Sequence, residues 1–291
     1  MDPVRRSLLE LNFTVVLLGV VPLFAKLIEL GAVSIIGWRA VLGGVALVAF
    51  IGLRRGGFGI ACRRDAGLVI LLGVVMAVHW VTYFQAIQVS TVAVAVVSMF
   101  TWPVMAVLLE PLIFRSGYRL ADLGMAVCAL IGVALVVPEF SLHSSALHGA
   151  AWGLVSALLF ALRNILHRRY LAGYPAVRMM AFQLVVVALC LAPLMEFPDA
   201  GTDWWLLALL GLVFTAFAHT LLVGTMRELK AKTVGMISCL QPVYGIAAAA
   251  LLLNELPTWR GLLGALVVFA VAVVETVRAP GEARRLAAER R

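Results

Sequence analysis

The positive charges of this chain sit in clusters at alternate ends of long apolar runs, and that alternation leaves few folds open. Nineteen of its 23 Lys and Arg residues obey it. They are Arg5 and Arg6, then Arg54, Arg55, Arg63 and Arg64, then Arg115 and Arg119. Arg168, Arg169 and Arg178 come next, then Arg227, Lys230 and Lys232, and last Arg278, Arg284, Arg285, Arg290 and Arg291. Between clusters lie paired apolar runs of roughly 20 residues, the length a helix needs to cross a bilayer. Basic residues collect on the cytoplasmic side of such helices, so the clusters also set an orientation. Spanning strands would be shorter and would alternate in polarity; these runs do not. Hydrophobic residues make up 63% and charged residues 13% of the chain, whereas a soluble domain has roughly half and a quarter. The formal net charge of +8 is therefore loop charge, and nucleic acid is not a partner.

The runs predict an all-α integral membrane protein with spans near 9–29, 33–53, 66–86, 91–113, 120–138, 147–168, 177–195, 204–225, 232–253 and 259–277. Short connections leave no room for an inserted soluble domain. The outer loops carry Glu29, Glu139, Glu196, Asp199, Asp203 and Glu255 and one positive residue, Arg260. Both termini are expected in the cytoplasm of a bacterial cell, with the chain in the inner membrane. The first apolar run lacks a following small-residue cleavage site and reads as a span. Cys62, Cys128, Cys190 and Cys239 are far apart, show no metal-ligand spacing and read as packing residues. No cofactor motif and no metal site are expected.

Ten spans divide into five and five, and the second five starts from the outside. The expected units are an inverted pair, 1–145 and 146–279, followed by a basic cytoplasmic tail at 280–291. Spans three and four contain HWVTYFQAIQVSTVAVAVVSMFTWPV, and spans eight and nine contain HTLLVGTMRELKAKTVGMISCLQPVYG. His79 and Pro103 in the first stretch match His219 and Pro242 in the second. Inverted repeats point to a transporter with its site between the repeats near the midplane.

Polar side chains inside spans need a reason, because burying a charge in the bilayer costs about 2.5 kcal/mol or more. His79 and Tyr83, four apart, share a helix face. His79 and His219 are either neutral imidazoles bonded to neighbouring helices or cavity residues that sense protons. Ser98 and Trp102 precede Pro103; Ser238 and Gln241 precede Pro242, with Tyr244 just after. A proline removes an amide donor and bends its helix, so these prolines are packing kinks or gate elements. Trp102 and Tyr244 are candidates for a shared aromatic floor. Lys26 is expected to snorkel outward. Arg39, deeper, either binds a substrate anion or ties helices together. Arg163 is expected to snorkel or to belong to an inner gate, and Glu110 to pair with Arg115. Phe160, Trp152 and Phe100 read as lipid-facing or core residues.

The ordered set of Lys26, Arg39, YFQAIQVSTVAVAVVSMFTWPV, GAAWGLVSALLFAL, LKAKTVGMISCLQPVYGI and LLLNELPTWRGLLGALVV resembles the drug/metabolite transporter superfamily, EamA type. Ser116 departs from the acidic residue usual after the fourth helix, while Glu255 retains its counterpart. The resemblance implies an alternating-access carrier exporting small polar metabolites, amino acids or related compounds. It also implies that helices five and ten, with Gly124, Gly132, Gly261 and Gly264, form a scaffold or homodimer surface. Facilitated diffusion is slightly preferred, since no carboxylate sits at the midplane. The alternatives are a proton-coupled drug or quaternary-amine carrier and a nucleobase or nucleotide-type carrier. A channel lacks its charged ring or filter motif, and a membrane enzyme lacks a catalytic cluster. The expected substrate site is Arg39, His79, Tyr83, Ser98, Trp102, His219, Ser238, Gln241 and Tyr244, with Pro103 and Pro242 at the gate.

Overall fold

The computed structural model describes residues 3–54, 57–114, 120–138, 141, 143–171, 173–199, 203–225, 229, 234 and 237–289. Arg55, Arg115, Ser116, Arg119, Glu139, Arg227, Lys230, Lys232, Arg290 and Arg291 lie outside the described residues. Among the described residues the chain is helical, with no strand.

α1 (Pro3–Val20) passes through a tight turn, Val21–Leu23, into α2 (Phe24–Leu27). Pro22 sits in that turn, where its missing N–H is tolerated. α3 (Ala32–Leu53) and α4 (Arg63–Val89) are continuous. The fourth expected span is two helices, α5 (Val92–Met99) and α6 (Trp102–Phe114). α7 (Leu120–Val136), α8 (Ser145–Tyr170) and α9 (Ala176–Leu191) follow. The eighth expected span comprises α10 (Trp204–Ala208), a π-helical stretch Leu209–Phe217, and α11 (Ala218–Thr225). α12 (Gln241–Leu252) and α13 (Trp259–Glu289) come last.

Among the described residues seven helical stretches are long and apolar enough to cross a membrane, and Leu120–Val136, Gln241–Leu252 and Trp259–Val274 are shorter apolar helices. Their outward faces carry Val45, Leu112, Ile131, Leu189, Phe217 and Leu266, all exposed. So large an apolar surface is tolerated by lipid and not by water. The chain is a multi-pass membrane protein.

The packing exchanges one half of the chain for the other. α4 packs on α8, and α11 packs on α1. α4 packs on α9, and the π-helical stretch packs on α3. α5 packs on α8, and α12 packs on α1. α3 meets α9, α5 meets α12 and α7 meets α13. The last contact is a close one: a Cβ on Gly264 would lie 2.3 Å from the carbonyl oxygen of Gly132.

Local chemistry sets the helix ends. Thr91 and Ser144 accept from the amides of Val94 and Leu147 and cap α5 and α8. Asn254 takes a left-handed backbone, φ 55°, after α12, and the amide of Glu255 returns to Ala249 O at 3.2 Å. That turn delivers the Glu255 carboxylate to the start of α5, where Oε2 accepts from Val92 N at 2.7 Å. Lys26, expected to snorkel outward, donates to Ser90 O at 2.7 Å and lies 3.7 Å from Glu255 Oε1, with its side chain 26% exposed. Glu110, expected beside Arg115, pairs with Arg168 of α8 because α6 and α8 are packed together. Cys128 and Cys190 are exposed rather than packed, whereas Cys239 is buried. The tail expected after Ala279 continues α13 through Pro280 to Glu289, in keeping with its Ala, Leu, Glu and Arg content.

Candidate functional site

The innermost charge is Arg39. Its residue is 3% exposed. Gly43, one turn on, faces the carbonyl of Gly211, and a Cβ on Gly211 would lie 2.7 Å from Leu42 Cβ. The two glycines bring α3 against the π-helical stretch. Arg39 Nε then reaches Thr215 Oγ1 at 2.6 Å. Thr215 directs its own hydroxyl proton to Leu210 O at 2.7 Å, so its oxygen is free to accept. The guanidinium carbon stands 4.0 Å from the Trp80 ring centroid and 5.9 Å from that of Phe84. No carboxylate pairs with Arg39 among the described residues. An arginine at the middle of a spanning helix costs about 2.5–3.5 kcal/mol on insertion scales. One neutral hydroxyl and an aromatic face offset only part of that.

His79, on α4 beside Trp80, is 2% exposed. Ser156 of α8 gives its hydroxyl proton to His79 O at 3.0 Å. Nδ1 of His79 lies 2.8 Å from Ser156 Oγ and 3.0 Å from Ser156 O. Since the serine proton is already used, this arrangement is satisfied when Nδ1 carries the hydrogen, leaving Nε2 as an acceptor. The ring stacks on Phe160 at 4.8 Å, and Phe160 meets Trp102 edge-on at 5.2 Å. Phe160 therefore joins two expected site residues and is not a lipid-facing aromatic. Tyr83 is half-buried on the same helix and packs against the main core.

Arg163 lies on the face of α8 that carries Ser156 and Phe160. It does not snorkel. Nε donates to Gln183 Oε1 at 3.1 Å, Nη2 donates to the same oxygen, and Nη1 donates to Asn164 Oδ1 at 3.3 Å. His219, half-buried on α11, directs Nδ1 at Thr215 O, 2.8 Å away. Thr215 thus serves Arg39 with its side chain and His219 with its carbonyl.

The proline region divides. Pro103 and Pro242 are buried near the starts of α6 and α12, each just after a break in its span. The breaks match: Thr101 N turns back to Ser98 O at 3.3 Å, and Leu240 N to Ile237 O at 3.0 Å. Ser98 is fully buried against Gly153 of α8, and its Oγ has no hydrogen-bond partner among the described residues. Tyr244 packs against the cluster of Leu11, Val15, Leu229 and Val234. Of the two residues expected to share an aromatic floor, Trp102 meets Phe160 of α8 and Tyr244 joins a cluster with Leu11 and Val15 of α1. Ser238 and Gln241 are half-buried, and neither side chain makes a hydrogen bond to the Arg39–His79 region. Thr215, Trp80, Ser156 and Gln183 were absent from the expected site. The spacing of Ser156, Phe160 and Arg163 was the legible signal for one of these faces.

No group of three His, Cys, Asp or Glu side chains that could hold a metal comes together among the described residues. The polar groups gathered here are the buried Arg39 and His79, the half-buried Arg163 and His219, and the buried Ser98.

Residues 9–137 and 147–276 each match the model of the EamA-like transporter family. The chain belongs to that family. An uncharacterized transporter of Bacillus subtilis, YxxF, is 22% identical over 227 residues, 76% of this chain and 73% of that protein. The pseudopaline exporter CntI of Pseudomonas aeruginosa is 27% identical over 202 residues, 65% of this chain and 70% of that protein. A solved crystal structure aligns at TM-score 0.61 and 19% identity, covering 93% of this chain and 97% of that one, which shows the shared fold. This EamA-like protein is a transporter and not an enzyme. The break between the two matched segments falls between α7 and α8.

Proposed function

We propose that this EamA-like transporter exports small polar organic metabolites, amino acids or related compounds, from a bacterial cytoplasm by alternating access. Arg39 carries the reading: it is a buried guanidinium bonded to a neutral hydroxyl, without a described carboxylate partner. A substrate carboxylate completes it with a charge-assisted, bidentate contact. Similarity to a pseudopaline exporter supports a metabolite as cargo and export as direction. A quaternary amine would bring positive charge to Arg39 and Arg163, which argues against the drug-carrier alternative.

The same reading counts the three shorter apolar helices as spans, for ten in all. An odd number of spans per repeat inverts the second repeat, and the exchangeable packing of the two halves supports that layout. The basic clusters put both termini in the cytoplasm of the inner membrane. Rocking of the halves would expose the region around Arg39, His79 and Trp102 to each side in turn.

Counterflow in proteoliposomes tests this. Liposomes preloaded with one candidate metabolite should accumulate its labelled form transiently, and the signal should saturate. Arg39→Gln should abolish it while the protein still inserts. A linear, non-saturating signal points to a pore and removes the carrier reading. An imposed pH gradient separates uniport from proton coupling: gradient-driven accumulation would end the facilitated-diffusion reading.

A further inference from the structure

Arg163 is a second cation that the proposed substrate contact leaves unused. We infer that the site takes a solute with two acidic groups, one bound by Arg39 and the other by Arg163 together with the amide of Gln183. This deepens the transport reading above and rests on it.

Three observations converge. The first is the direction of Arg163. Ser156, Phe160 and Arg163 are four and three residues apart and share one face of α8. Ser156 is bonded to His79 and Phe160 is stacked on it. The face that carries Arg163 is therefore the face turned toward the site. All described acceptors of Arg163 are neutral: Gln183 Oε1 and Asn164 Oδ1.

The second is Gln183. It is completely buried, and its Nε2 has no hydrogen-bond partner among the described residues. Its orientation is set, because turning the amide would press NH2 against a guanidinium that can only donate. A buried donor with nothing to bond is rare in folded proteins and needs an explanation. An incoming acidic oxygen supplies the acceptor and neutralises Arg163 at once.

The third is shared placement. Arg39 lies over Trp80, next to His79 on α4, and Arg163 shares the α8 face of Ser156 and Phe160, which contact His79, so both cations lie around one segment of α4. No described carboxylate pairs with either arginine. A monoacid leaves one of them uncompensated, and the ammonium of a simple amino acid would meet like charge. A diacid, or an amino acid with an acidic side chain, meets both cations.

The test compares diacids with their monomethyl esters, from succinate to pimelate, by ligand-dependent thermal stabilisation of the full-length protein in detergent. At least one diacid should bind about 30-fold more tightly than its monoester, as expected when one partner of a buried charge pair is lost. Gln183→Glu places a carboxylate on Arg163 and should erase that preference. The inference is overturned if every diacid matches its monoester in the wild type, absence of binding included. It is also overturned if Gln183→Glu keeps the preference. Saturable counterflow of neutral amino acids without a diacid preference would sink the two-acid inference and leave the transporter reading standing. Diacid binding without counterflow of any solute would do the reverse.

Discussion

Arg39 Nε donates to Thr215 Oγ1 at 2.6 Å, across 176 positions of sequence. The contact joins α3 to a π-helical stretch in the other half of the chain. Such stretches interrupt regular helices and are frequent at functional sites. Here the wider turn lets the Thr215 hydroxyl bond back to Leu210, five residues earlier.

Thr215→Val keeps the shape and removes the acceptor. A hydrogen bond to a charged group contributes about 1.5–3 kcal/mol, so KM for counterflow should rise about tenfold or more. Thr215→Ser should retain the wild-type value. An unchanged KM in the valine variant would show that Thr215 does not orient Arg39.

His79 and Ser156 exchange hydrogen bonds in a dry contact between α4 and α8. Single alanine variants should each lower the unfolding midpoint, and a double-mutant cycle should return a coupling of about 1 kcal/mol. Additive effects would mean the two side chains act independently.

The α7–α13 contact gives a contrast between two glycines. Gly264→Ala drives a methyl group into Gly132 O and Val136 and should destabilise by about 1–3 kcal/mol. Gly124→Ala meets nothing within 4 Å and should leave the melting temperature of the purified protein unchanged.

Lys26 and Glu255 are 26% and 21% exposed at the side chain, so their ion pair is partly wet. Its coupling energy should be under about 1 kcal/mol. Glu255→Gln keeps an acceptor for Val92 N, whereas Glu255→Leu removes it. Thermal melts should therefore rank wild type, then Gln, then Leu. Equal melting of the two variants would show that capping α5 is not the role of this side chain.

Tyr174 lies in the connection between α8 and α9 and donates to Asp65 Oδ2 at 2.6 Å. That hydrogen bond holds its phenol above the ordinary value of 10.0. A raised folded value means the contribution is whole below 10.0 and is lost as pH rises through the folded value. Tyr174→Phe should remove this alkaline component from a stability–pH profile. A variant profile superimposing on the wild type at high pH would exclude it.

Part of the site could be read from residue type. Arg39 and His79 announce themselves because charged and polar groups are costly inside a span. Pro103 and Pro242 announce breaks because proline lacks a donor, and their matched positions survive in the matched turns at Ser98–Thr101 and Ile237–Leu240. Thr215 and Ser156 gave no such signal, since a hydroxyl in a spanning helix can bond to its own backbone and cost little. Gln183 was equally silent until its neighbours were known. For Phe160 the choice between lipid and core stayed open, because an aromatic in an apolar run looks the same whether it faces lipid or a histidine.

The sequence by itself determined what depends on local composition and period: helices, lipid as solvent, the clustering of basic residues and the repeat. Those follow from transfer free energies and backbone geometry, which each segment carries alone. The tertiary structure decided the partners. Arg39 meets Thr215, His79 meets Ser156, Arg163 meets Gln183 and Lys26 meets Glu255 only because particular helix faces are pressed together. Close approaches at Gly43 and Gly211, and at Gly132 and Gly264, select those faces by steric fit. Steric fit is a property of two surfaces at once, and no single segment encodes it.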